Sequence, residues 1–278
     1  MILLAAPVGV GQAGMSGASI YKVSVLKGVR YETPTGTRMM DIYLPNLPEP
    51  AEPVPCLVWM GLSRPSARDD SVCGDLAGAG FVTARIDFEP DDTPSDRPVV
   101  IGKCAVRFLR ASAAKFHIDG RRIAIAGSSM AGGFALLVGF TRNEPRFAVK
   151  GAYPGVSDRV SAVVTLSAMT DWRKPPANLK GWSAEAMEEL RVLSPVTYVT
   201  ADSPPILIFH GTNDKSLPQD HAINLRKLLA THGVPHRLVL LPQVGHTYNL
   251  VTANGRPLPE DVKGICASFL RKYFAEPK

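Results

Sequence analysis

The chain has 278 residues, 20% charged and 45% hydrophobic, with 31 Lys and Arg against 25 Asp and Glu. This is ordinary globular usage, long enough for one large domain or two small ones, and it excludes a wholly disordered, fibrous or coiled-coil protein. The +6 net charge is spread along the chain, with no run of five or six like charges and no basic patch among aromatics, so nucleic acid is not an expected partner.

In chain order, residues 1–19 begin with the apolar run Met1 to Val8, and Gly11-Gln12-Ala13 resembles a small-x-small cleavage site. A secretory leader begins with positive charge, and none precedes Lys22. The segment is expected to be an export signal or a disordered tail, with a secreted or periplasmic location favoured over a cytoplasmic one. No apolar run reaches the ~18 residues that cross a bilayer, so no membrane span is expected.

Ile20 to Leu26 and Met39 to Leu44 read as two early strands with a turn at Pro34-Thr35-Gly36, and Pro45 to Pro55 as a proline-rich loop. Five apolar runs then read as buried strands: Cys56 to Met60, Phe81 to Phe88, Ile123 to Ala126, Val160 to Leu166 and Ile206 to Phe209. Arg237 to Leu241 completes the set. Helical patterns lie between them at Ile101 to His117, Phe134 to Phe140 and Ala222 to His232. A last amphipathic stripe places Val262, Ile265, Cys266, Phe269 and Leu270 on one face. Alternating strands and helices predict a mostly parallel sheet covered on both sides, with residues 20–278 as one domain. Asp171 to Pro195, rich in Trp and Pro, is too irregular for a simple crossover.

Four cysteines, Cys56, Cys73, Cys104 and Cys266, form no C-x-x-C pair. Free buried thiols are expected, with Cys73–Cys104 the pairing open in an oxidising compartment. No acidic or histidine cluster suggests a metal, and no glycine-rich phosphate loop suggests a nucleotide, so no cofactor is expected.

Three strand ends carry the chemistry. Ile123 to Ala126 runs into Gly127-Ser128-Ser129-Met130-Ala131-Gly132 and then a helical run. This fits the nucleophile elbow G-x-S-x-G with Ala131 for the last Gly. Ser129 is preferred over Ser128, because Ser128 as nucleophile would put bulky Met130 two residues on, at a tight corner. Ile206 to Phe209 runs into His210-Gly211-Thr212-Asn213-Asp214. Alone, Asp214 would be read as a turn or capping residue. Leu238 to Leu241 runs into a loop bearing Gly245-His246. The order Ser129, Asp214, His246, each just after a strand, is that of the α/β-hydrolases. A serine hydroxyl needs a base within hydrogen-bond reach. His246 suits that role, and Asp214 would fix its tautomer. Two N–H donors must meet the developing oxyanion. One is expected from Met130 and the other from Met60-Gly61-Leu62-Ser63.

At these residues the sequence resembles the small bacterial carboxylesterases of the α/β-hydrolase superfamily, the group that includes acetyl-xylan esterases and feruloyl-esterase-like proteins. Met40-Asp41-Ile42-Tyr43-Leu44-Pro45, Ile118-Asp119-Gly120-Arg121-Arg122 and Ser194-Pro195-Val196-Thr197-Tyr198 are similar to the family's opening hairpin, elbow lead-in and acid region. The resemblance implies an α/β-hydrolase fold with helices on both faces and no large separate cap domain. It also implies hydrolysis of small-molecule or carbohydrate esters carrying short acyl groups, acetyl or hydroxycinnamoyl. The chain departs from it at Met60-Gly61-Leu62, where the family carries H-G-G. Gly61 can keep the backbone geometry, with Leu62 N–H as donor. The alternatives are a prolyl-oligopeptidase-type peptidase, for whose extra domain there is no room, and a binding protein on a degenerate hydrolase scaffold. The weaker candidates are Asp171 and Asp202 as acids, and Trp172 and Trp182 as pocket walls. His210 reads as structural, and His117, His221, His232 and His236 as surface residues.

Overall fold

The computed structural model describes residues 20–49, 51–62, 66–89, 97–173 and 184–275. The apolar segment 1–19, Ser63 and Trp182 lie outside them. The chain enters on an antiparallel hairpin, β1 (Val23–Thr33) and β2 (Gly36–Pro45), with Thr33 opposite Gly36 and a bulge between Leu26 and Val29. The turn falls where expected, but both strands are longer than the sequence indicates. β1 is an edge strand, and most of its side chains are exposed. It therefore lacks the in–out alternation that reveals a strand.

β3 (Val54–Leu62) follows, then α1 (Ala67–Gly78), β4 (Val82–Phe88), α2 (Arg97–Ala111), β5 (Ile118–Ser128) and α3 (Ser129–Phe140). Next come β6 (Val163–Leu166), α4 (Ala184–Val192), β7 (Ile206–Gly211), α5 (Asp220–Thr231) and β8 (His236–Leu241). A two-residue hairpin, β9 (Thr252–Ala253) and β10 (Arg256–Pro257), precedes α6 (Val262–Ala275). Eight strands form one sheet in the order β1-β2-β4-β3-β5-β6-β7-β8. The first two junctions are antiparallel and the remaining five parallel.

The period of two along β3 divides the core. Cys56, Val58 and Met60 face a cluster built on α2, α3 and α5, whereas Leu57 and Trp59 face a second built on α1 and α6. Parallel strands buried on both faces need continuous apolar runs, and β3 to β7 have them. The sheet also explains the cysteines. All four are free and buried, with Cys73 in the second cluster and Cys104 in the first. They lie on opposite faces, so the pairing that an oxidising compartment would have permitted is absent.

Other boundaries shift for local reasons. The helix expected over Ile101 to His117 starts at Arg97 and stops at Ala111. A 3-10 turn, Ala113–Phe116, and His117 at φ 57° follow it. The strand expected from Val160 begins only at Val163. Two helices, α1 and α4, add to the expected set. Ser66-x-x-Asp69 is the sequence signal for α1: the Ser66 hydroxyl caps the helix by accepting the Asp69 N–H.

Candidate active site

The elbow between β5 and α3 holds the serine pair. Ser128 is the extended N-cap of α3 and is buried, whereas Ser129 takes φ 57° in the left-handed region and is half-buried. This conformation is costly for a non-glycine residue and marks a held turn. Part of what holds it is the Ser129 carbonyl, which accepts the Met169 N–H at 3.1 Å. Gly127 is required by close approach: a Cβ there would stand 2.6 Å from the carbonyl carbon and oxygen of Ala131. The last motif position tolerates the Ala131 methyl because the tight contact has moved one residue on. A Cβ at Gly132 would meet the Ala168 Cβ at 2.8 Å. Met130 is the second residue of α3, so its N–H is one of the first-turn donors that have no intrahelical partner.

Asp214 follows β7 by three residues, and its side chain is buried. One carboxylate oxygen accepts the N–H groups of Ser216 and Leu217 at 2.9 and 2.8 Å. The other lies 2.7 Å from His246 Nδ1. Burial pushes this carboxyl up, but the bonds from His246, Leu217 and Ser216 outweigh it and hold it below the usual carboxylate range. Asp214 is therefore ionised at neutral pH. His246 Nε2 lies 2.9 Å from Ser129 Oγ. Ser129, His246 and Asp214 thus form one continuous hydrogen-bonded chain at the carboxyl ends of β5, β7 and β8, where open parallel sheets place their sites.

The turns bearing Asp214 and His246 are stitched together. Thr212 N–H donates to Leu241 O, Asn213 N–H to Val244 O, and Gln243 N–H to Thr212 Oγ1, each at 2.9 Å. Gly211 permits this contact, because a Cβ there would stand 2.3 Å from Val244 O. Tyr248, two residues past His246, reaches Ser167 at the end of β6 with a hydroxyl–hydroxyl distance of 3.3 Å. Sequence reasoning does not find that tie, although the short spacing from His246 is a signal.

The other candidates fall elsewhere. His210 is fully buried and places Nε2 2.9 Å from Leu217 O, buttressing the Asp214 turn. Burial holds its pKa below the usual histidine value, so the ring is neutral and donates. His221, expected at the surface, is instead buried. Its Nδ1 accepts the Thr170 N–H at 3.2 Å, and its carbonyl accepts the Thr170 hydroxyl. His232 is exposed, and His236 places Nδ1 2.7 Å from Val234 O. His117 is half-buried rather than exposed. Asp171 pairs with Arg173 at 2.8 Å, and Asp202 is exposed, so neither joins His246. Trp172 packs against Phe134 with ring centroids 5.6 Å apart. Gly61 and Leu62 end β3, opposite Asp87 and Phe88 of β4, and Leu62 is exposed.

A mostly parallel sheet with a serine elbow after β5 and an acid and a histidine after β7 and β8 is the α/β-hydrolase fold. Within it, the chain belongs to the BD-FAE family, whose model matches residues 40–229. That span includes Gly61, Leu62, Ser129, Met130 and Asp214 and ends before His246. The chain is similar to "Esterase LipC" of Mycobacterium tuberculosis, 28% identical over 224 residues, covering 73% of this chain and 55% of that protein. It is also similar to "Probable carboxylic ester hydrolase LipM" of the same organism, 26% identical and covering 63% and 44%. The chain thus spans about half the length of the curated relatives it matches. Among solved structures, a truncated carbohydrate esterase from gut microbiota shares the fold at TM-score 0.73 and 21% identity, covering 93% of this chain and 98% of that one. So does esterase 2 of Thermogutta terrifontis phosphorylated by paraoxon, at TM-score 0.69 and 21% identity, covering 93% and 97%.

Proposed function

We propose that this chain hydrolyses carboxylic esters through an acyl-serine intermediate, with Ser129 as nucleophile, His246 as general base and acid, and Asp214 as the group that orients the imidazole. The observation that carries the reading is the unbroken chain from Ser129 Oγ to His246 Nε2 at 2.9 Å and from Nδ1 to Asp214 at 2.7 Å. The names of the relatives, an esterase and a probable carboxylic ester hydrolase, agree with it.

Ser129 Oγ attacks the ester carbonyl carbon as its proton passes to His246 Nε2. The carbonyl oxygen becomes an oxyanion, met by the N–H groups of Met130 and Leu62, with Gly61 allowing the strand end its approach. Collapse expels the alkoxide, which takes the proton from His246. Water then repeats the sequence on the acyl-serine and releases the acid. Asp214 stays ionised and stabilises the imidazolium. A positioned base is worth about 10²–10⁴-fold, and one oxyanion donor about 10²–10³-fold. The substrate class is a short acyl group, acetyl or hydroxycinnamoyl, on an alcohol or sugar, which fits a neighbour that is itself a carbohydrate esterase.

The test is p-nitrophenyl acetate hydrolysis by the wild type and Ser129→Ala, with intact mass after a fluorophosphonate probe. Turnover and labelling by the wild type alone are expected. A folded wild type that is inert and unlabelled defeats the reading and favours a binding protein.

A further inference from the structure

Beside the elbow, the end of β3 is held by an arrangement that the chemistry above does not use. Trp59 is buried on the α1 side of the sheet, and its indole N–H donates to Asp69 Oδ1 at 3.0 Å. Asp69 is the third residue of α1 and is itself 2% exposed. Its second oxygen accepts the Ser66 hydroxyl at 2.7 Å, while the same hydroxyl accepts the Asp69 N–H at 3.1 Å. Arg68 lies 3.3 Å from Oδ1. One buried carboxylate therefore ties residue 59 of the strand to the cap of the helix.

Gly61 and Leu62 lie between those two ties. A Cβ on Gly61 would stand 3.5 Å from Asp69 Oδ2 and 2.4 Å from Asp87 Oδ1. Two carboxylates thus face the side of Gly61 where a side chain would sit, Asp87 of β4 tightly and Asp69 of α1 at ordinary contact. A carboxylate fixed by three donors does not readily give way, so Asp69 bounds the space into which the Gly61 backbone can turn. The peptide that follows Gly61 Cα carries the Leu62 N–H. Met60 occupies the place where the resembling esterases carry the histidine of H-G-G, and it is buried in the opposite core cluster. It cannot organise the same turn from that side.

We infer that Asp69, gripping the Trp59 indole and the Ser66 hydroxyl, is a positioning residue that aims the Leu62 N–H at the oxyanion, standing in for the missing H-G-G turn. This rests on the ester-hydrolase reading above. Asp69 touches no reacting atom. Its effect passes through the Gly61–Leu62 peptide, so it belongs to the transition state and not to substrate binding.

The test compares the wild type with Trp59→Phe, which keeps a buried ring without the donor, and with Asp69→Asn and Ser66→Ala. Asp70→Asn serves as a control, since Asp70 bonds Tyr43 and Arg85 and supplies none of the three atoms nearest to a Gly61 Cβ. For p-nitrophenyl acetate, Trp59→Phe and Asp69→Asn should lower kcat by about 10–100-fold with KM within threefold, and Ser66→Ala by less. Inhibition by a trifluoromethyl ketone, whose hemiketal oxygen occupies the same position, should weaken by the factor lost from kcat/KM. The midpoint of the pH profile should not move. A merely structural role would shift thermal stability and leave activity per folded molecule and ketone affinity unchanged. That outcome overturns the inference, and Ser66→Ala, at the partly exposed cap, decides between the two should the buried variants not fold. An active wild type with unaffected variants defeats this inference alone, whereas an inert wild type defeats the ester-hydrolase reading and this with it.

Discussion

Gly211→Ala adds one methyl group at the end of β7, touching no reacting atom, yet it should disable the site. The new Cβ would lie 2.3 Å from Val244 O, 2.7 Å from Gly245 O and 2.8 Å from the Val244 carbonyl carbon. Relief to an ordinary contact of ~3.4 Å needs a retreat of about 1 Å by the turn that carries His246. If His246 follows, its 2.9 Å reach to Ser129 Oγ becomes roughly 4 Å, outside hydrogen-bond range. Misplacement by about 1 Å costs on the order of 10²-fold in rate. Overpacking of this kind costs about 1–3 kcal/mol of stability, too little to unfold most domains. The assay is kcat for p-nitrophenyl acetate on protein shown to be folded by circular dichroism, with a thermal melt alongside. Gly245→Ala is the matched control. It adds a methyl group next to His246, but the nearest neighbour of its Cβ would be Asn213 O at 4.0 Å, and its activity should stay within threefold. A Gly211→Ala variant as active as Gly245→Ala would refute the claim that this approach sets the position of His246.

Three further outcomes follow from the buried charges and thiols. Burial raises the Asp87 carboxyl to about 6, with Arg85 pulling it down and Asp69, Asp41 and Asp70 pushing it up. The folded state then holds a proton that the unfolded chain releases, so its contribution to stability is lost as pH rises from about 4 to 6. Asp87→Asn should gain about 2 kcal/mol on the wild type across that window; parallel melting curves would refute it. Burial lowers Lys103 to about 8, against the pull of Asp158, and its ammonium donates to Thr141 O at 2.6 Å. Here the unfolded chain holds the extra proton. The wild type should therefore gain roughly 3 kcal/mol over Lys103→Met between pH 8 and 10.5, and a flat difference between the two would count against it. Burial pushes the Cys104 and Cys266 thiols up to about 12, and raises Cys56 as well. The folded protein should therefore resist a thiol-specific maleimide at about pH 7, and rapid labelling would contradict their burial.

Legibility in the sequence followed locality. Ser129, Asp214 and His246 are legible because each follows a strand within a few residues, and the structure brings their side chains together. Strands β3 to β7 were legible because both of their faces are buried. Edge strand β1 was blurred because water on its sides removes the alternation. Helix α1 carries no clear sequence pattern because its buried residues include Asp69 beside Val72, Cys73 and Leu76, so its apolar stripe is broken where it meets Trp59. His221 reads as a surface residue because its partner, Thr170, lies 51 positions away. Partners that distant leave no local pattern.

The stitching of the turns after β7 and β8 divides the site mechanically. Asp214 and His246 ride on one body, laced by backbone bonds and the Gly211 approach, while Ser129 rides on another, the elbow of β5 and α3. The two bodies meet at the bond from Nε2 to Oγ, with the Tyr248–Ser167 contact beside it. On the ester-hydrolase reading, the pair that handles the proton is thus carried as one piece, separate from the elbow that carries the nucleophile.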